Sequence, residues 1–216
     1  MSNSPTATVL FDKRQVRLPV FIATVFAWMA VLIAAWVYVK PWTSWPVAAI
    51  ASVALEKGAS GWVRDAQVLP YPHHLEVNSR IDFPVPNSGG QRAELALEAD
   101  PARYAYGLAI FLALLLAARQ KHLLRKALAG YLLLLPFQAF TLVFFVLQEI
   151  IVAAQLDLGH LRISAWQMEG IVYGFQLGTL IVPTLVPVLV WLWLDKPFFS
   201  SVIARAILPP GARRVR

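Results

Sequence analysis

LPVFIATVFAWMAVLIAAWVYV, running from Leu18 to Val39, carries no charged residue over its 22 positions. As a helix it is about 33 Å long at roughly 1.5 Å per residue, enough to cross a hydrocarbon core of about 30 Å. Lys13, Arg14 and Arg17 precede it, as basic residues precede a secretory signal. It is nevertheless longer than the apolar region of such a signal, roughly 7–15 residues, and it ends in Trp36-Val37-Tyr38 without a small-x-small cleavage site. The stretch therefore reads as an uncleaved anchor over 18–40, closed by Lys40-Pro41 and preceded by a short tail over 1–17.

The rest of the chain agrees with a bilayer as solvent. Of 216 residues, 58% are hydrophobic and only 14% charged, against roughly 25% charged in ordinary soluble domains. The absence of cysteine excludes disulfides, thiolate metal sites and a cysteine nucleophile in this polypeptide. A second apolar run, Tyr104 to Ala118, gains a turn if Asp100-Pro101 supplies an N-cap and a proline at the first helical position. A third extends from Leu123 to about Leu147 with Pro136 inside it. The fourth, Ala165 to Leu194, is opened by Ser164-x-x-Gln167, a capping-box pattern, and closed by Asp195-Lys196-Pro197. The expected fold class is an all-α membrane protein, a four-span helical bundle whose last three spans occupy 102–194.

Charge bias orients these spans. The N-terminal tail, the Arg119 to Lys126 loop and the tail over 195–216 hold twelve Lys/Arg against Asp12 and Asp195, a net +10. The opposite side holds seven Lys/Arg and ten Asp/Glu, a net −3, and the two sides together give the chain's +7. The positive-inside rule then places both termini in the cytoplasm, and the basicity reads as topology rather than as a nucleic-acid footprint.

Between the first two spans, 41–101 is expected outside the cytoplasm. Trp42 and Trp45 sit where an aromatic belt anchors a helix, and Pro46 to Lys57 reads as a separate interfacial helix ending at Gly58. Beyond it the period becomes two. Leu75, Val77, Ser79, Ile81 and Phe83 alternate with polar neighbours, as do Ala93, Leu95, Leu97 and Ala99, which predicts an antiparallel hairpin turning through Pro84 to Gly90. Trp62 to Leu69 alternates less cleanly and reads as a candidate third strand. A lone hairpin is barely stable in water, so its apolar face requires cover from that strand, the interfacial helix, the lipid surface or a partner. An open edge strand, with Arg92 and Glu94 as contacts, could instead accept an extended segment of a partner.

Chemistry is sparse. Glu149, His160 and Glu169 gather on the outer side and are the candidates for an enzyme site at the membrane interface, yet no pair has a ligand spacing that specifies a metal. No HExxH, P-loop, dinucleotide fingerprint or serine–histidine–acid framework occurs, so no cofactor is expected. Gly170, Gly174 and Gly178 form a double GxxxG stripe suited to close helix packing, within the chain or between chains. Counting residues puts Gln138 about 9 Å and Gln176 about 7.5 Å below the same membrane edge, and the matching depths predict an interior pair. A polar path for a small transporter subunit would have only these two, Thr141, Thr179 and Thr184 to line it. Pro183 and Pro187 deprive two carbonyls of helical donors and predict a bend.

Asp100-Pro-Ala-Arg-Tyr-Ala-Tyr-Gly107, Leu132-Leu-Leu-Leu-Pro-Phe-Gln138 and Trp166-Gln-Met-Glu through Tyr173-Gly-Phe-Gln-Leu-Gly178 to Pro183-Thr-Leu-Val-Pro187 together resemble the exosortase H-associated membrane proteins. The resemblance covers the last three spans best. It implies a link to exosortase H, a membrane transpeptidase-like enzyme that processes proteins bearing a C-terminal sorting signal. Exosortases use a Cys with Arg and His, so a chain without Cys is not itself the sortase. The expected role is a non-catalytic accessory whose partners are the lipid bilayer and an exosortase or its substrate.

Overall fold

The structure, a computed structural model, describes residues 18–71, 73–84, 92–119, 122–154 and 163–196. Its elements in chain order are α1 (Leu18–Gly58), β1 (Val63–Val68), β2 (Leu75–Pro84), β3 (Arg92–Ala99), α2 (Gly107–Ala117), α3 (Leu123–Ala154), α4 (Ala165–Gln176), a π-helical turn (Leu177–Ile181) and α5 (Val182–Leu194).

α1 corrects the sequence reading, which ended one helix at Pro41 and began another at Pro46. A single 41-residue helix carries both prolines in its interior. Each removes one backbone donor. The carbonyls left without that donor are those of Val37 and Trp42, while hydroxyls bond other carbonyls nearby: Ser44 donates to the Lys40 carbonyl at 2.6 Å and Tyr131 of α3 donates to the Thr43 carbonyl at 2.9 Å. Residues 46–58 therefore continue the anchor instead of lying as a separate helix.

The three strands form one antiparallel sheet in the order β1-β2-β3. Leu75 pairs with Ala99 and Val77 with Leu97, and Leu75, Val77, Ser79 and Ala99 are buried while Glu94, Ala96 and Glu98 are exposed. The alternation read from the sequence is thus the sheet's two faces; the side chains of Phe83 and Ala93 lie outside the described residues. β2 holds three residues, Ser79 to Ile81, against Leu95 alone, because the register shifts between Asn78/Ala96 and Asp82/Glu94. The excess is two residues, so the pattern of faces survives the bulge. β1 carries an excess of one between Val63 and Asp65, which flips the phase and buries Val63 and Ala66, three apart. That odd bulge is why this strand alternates poorly in sequence.

The sheet's apolar face is closed by helices of the same chain. Val47, Ala51 and Leu55 of α1 and Ala139, Leu142, Val146 and Ile150 of α3 share one core with Val63, Leu75 and Val77. A second cluster at the other end joins Phe111 and Leu115 of α2, Leu134 of α3 and Val190 and Trp191 of α5. Here the Phe111 ring lies where a side chain on Gly130 would be.

Three helical stretches are long and apolar enough to cross a membrane: Pro19–Gly58, Leu123–Ala153 and Ala165–Leu194. α2 is apolar but only 11 residues long, about 16 Å. The helical extension expected at Asp100-Pro101 does not form. Residues 101–106 are turns, in which the Asp100 carboxylate accepts from the Ala102 N–H at 2.8 Å and its carbonyl from the Arg103 N–H at 3.1 Å. The capping box at α4 does form, with the Gln167 side-chain oxygen accepting from the Ser164 N–H at 3.0 Å and the Ser164 hydroxyl at 2.9 Å.

Candidate functional site

α4 and its continuation meet α3 through the glycine stripe, but unevenly. Gly174 faces the Phe144 ring, and a Cβ there would clash with it; a Cβ on Gly178 would stand 3.1 Å from Thr141 Cα. Gly170 is exposed and has open space on its Cβ side. Two of the three glycines therefore pack within the chain, and the third does not.

The π turn makes a polar contact necessary at this interface. The Val182 N–H, which an α-helix would give to Gly178, is donated to the Leu177 carbonyl. The π-type donor for Gly178 would be the N–H of Pro183, which proline lacks. The buried Thr141 hydroxyl fills the gap, standing 2.9 Å from the Gly178 carbonyl and 3.1 Å from that of Phe137 on its own helix.

Gln138 is buried on α3, on the same side as Thr141, but Gln176 is exposed, so the expected Gln138–Gln176 pair is not formed. Depth fixes a residue's level along the helix axis but not its azimuth. Gln176 is two residues from both Gly174 and Gly178, or about 200° around a helix, so burying those glycines turns Gln176 away from α3. It lines an outward groove of about 430 Å³ with Tyr173, Leu177, Leu180 and Ile181.

Glu149 and Glu169 are both exposed, and His160 lies outside the described residues. Near Glu149, the Arg103 guanidinium sits 5.7 Å from the Tyr104 ring and 5.5 Å from that of Phe145, which in turn approaches Phe175. Burial raises the Tyr104 hydroxyl above the usual phenol range; Arg103 opposes that shift and Glu149 adds to it. Tyr104 is therefore a protonated donor at neutral pH rather than a base. On the polar face of the sheet, Glu94 is engaged by Arg64 across β2, and His74 Nδ1 contacts the Glu98 carboxylate. Arg92 pairs through its backbone with Pro84, and its side chain lies outside the described residues. Among the described residues, no three His, Asp or Glu side chains converge as a metal site would require.

One buried pair lies outside the sequence expectations. Asp195, read from sequence as a flanking charge, is buried, and its carboxylate lies 3.3 Å from Lys126 Nζ, tying the end of α5 to the start of α3. The available signal was that Asp12 and Asp195 are the only acids on an otherwise basic side.

Three long apolar helices, closed at one end by a sheet that shares their core, define an integral membrane protein. The family model of the exosortase H-associated membrane proteins matches residues 15–198, and the chain belongs to that family. No curated protein and no solved structure gives a significant match.

Proposed function

We propose that the chain is a non-catalytic accessory protein of exosortase H-dependent sorting in the bacterial inner membrane. Family membership supplies the link to exosortase H. The observation that carries the accessory reading is the shared core of sheet, α1 and α3. It makes the sheet a rigid shelf on the helix ends, suited to holding a neighbouring enzyme or the tagged tail of its substrate at the outer membrane surface. In this reading both termini are cytoplasmic and α2 serves as a short fourth span supported by α1 and α5. The edge of β3, near Arg92 and Glu94, is the contact offered to an extended substrate segment.

Affinity purification of the native protein from gently solubilised membranes tests this reading. An exosortase is expected to accompany it in a fixed ratio, and its consistent absence would overturn the role. Alanine at Glu149 and at Glu169 is expected to leave processing of tagged proteins intact; loss of processing with assembly preserved would make the chain an enzyme at those residues. Orientation is tested by Ser88→Cys and Ser200→Cys in this Cys-free chain. The first should label from outside with an impermeant thiol reagent, and the second should not.

A further inference from the structure

Trp166 and Trp193 project from opposite ends of the α4–π–α5 rod and are both well exposed. They are 27 residues apart, about 40 Å, which matches a bilayer with its two interfacial regions. Gln176 lies ten residues from Trp166, about 15 Å, and hence roughly 9 Å inside the hydrocarbon. Its side chain points away from the bundle, and among the described residues it has no hydrogen-bond partner. The threonines of the same rod differ: Thr179 donates to the Phe175 carbonyl at 2.8 Å and Thr184 to that of Leu180 at 3.0 Å. A bare amide facing lipid tails is costly, and at that depth its side chain is too short to reach water.

We propose that this face is a self-association surface on which a second copy of the chain docks, the two Gln176 amides hydrogen-bonding to each other. An amide is both donor and acceptor, so two identical ones satisfy each other reciprocally. A two-fold axis along the membrane normal brings the same residue of each copy to the same depth, a condition any other partner meets only by carrying a polar group at that level. The surroundings suit a helix. Tyr173, Leu177 and Leu180 form an apolar rim around the groove. This contact needs no exosortase and stands apart from the accessory role.

The test uses vesicles containing this protein alone. Leu180→Cys, on the proposed face, should form a disulfide-linked dimer on mild oxidation, while Phe26→Cys, equally exposed on α1, should not. Adding Gln176→Leu to the Leu180→Cys chain should lower the dimer yield by about eightfold, as expected for losing two interhelical hydrogen bonds of average strength. Energy transfer between labelled copies that retain Gln176 should report association and should fall on dilution with lipid. Crosslinking at Phe26→Cys as strong as at Leu180→Cys, no effect of Gln176→Leu, or no energy transfer would each overturn the proposal.

Discussion

The two parts of α1 are similarly apolar and behave differently. Between residues 19 and 40 no position is buried, whereas from residue 41 onward Pro41, Ser44, Val47, Ala48, Ala51 and Leu55 are buried at spacings of one, three or four. The first part is half-buried along one stripe, Phe21, Val25, Met29, Leu32 and Trp36, with Phe21 stacked on Trp191, and is mostly exposed elsewhere. The second is the floor under the sheet. Apolarity in a membrane protein therefore marks two solvents, lipid and protein, and what separates the two parts is how deeply the stripe at helical spacing is buried, halfway in the first and fully in the second.

The sharpest way to break this contrast is a pair of truncations on the one helix. Leu55→Ala, in the core beneath the sheet, should lower stability by about 2–5 kcal/mol, and Val31→Ala by less than about 0.5 kcal/mol, measured by equilibrium unfolding in bicelles. Equal losses would mean that the first part is packed after all. The same contrast transfers to the glycine stripe. Gly174→Ala must displace the Phe144 ring and should cost about 1–3 kcal/mol. Gly170→Ala meets open space and should stabilise its helix by about 0.5–1 kcal/mol, a change of sign within four residues.

A smaller effect is expected for Thr141→Val, which keeps the shape and removes the hydroxyl. The Gly178 carbonyl loses its donor, and the loss should be about 0.6–1.7 kcal/mol. An unchanged stability would show that another donor reaches that carbonyl. Least of all, Glu94→Gln should cost only a few tenths of a kcal/mol and less as salt is raised, because Arg64 and Glu94 are both about half exposed.

Much of this architecture was legible where a single physical rule governs a stretch. Alternation gave the faces of β2 and β3, and Ser164 with Gln167 marked the start of α4. The failures came where a second effect competes. Pro41 reads as a stop, but Val47, Ala51 and Leu55 beyond it are buried against the sheet and α3, which holds the helix together past the proline, and local sequence gives no sign of those distant partners. Asp100 does cap an N–H, yet it closes a turn rather than opening α2. At the candidate interface, glycine spacing and Gln176 depth each constrain one coordinate, and only a helical wheel that joins them turns Gln176 away from the buried glycines. The π turn left one clue, a proline five residues after Gly178, which becomes meaningful only when the carbonyl's donors are counted.

The core that unites α1, the sheet and α3 also imposes an order of events on synthesis. Ala99, the end of β3, is added 43 residues before Leu142, with which it shares that core. At roughly 5–20 residues per second the interval is about 2–9 s. During it the anchor is already inserted and the strands have emerged, but the helix that covers them has not been made. The nascent sheet spends those seconds with one greasy face open at the membrane surface, the stage of its life at which it is most exposed to misassociation.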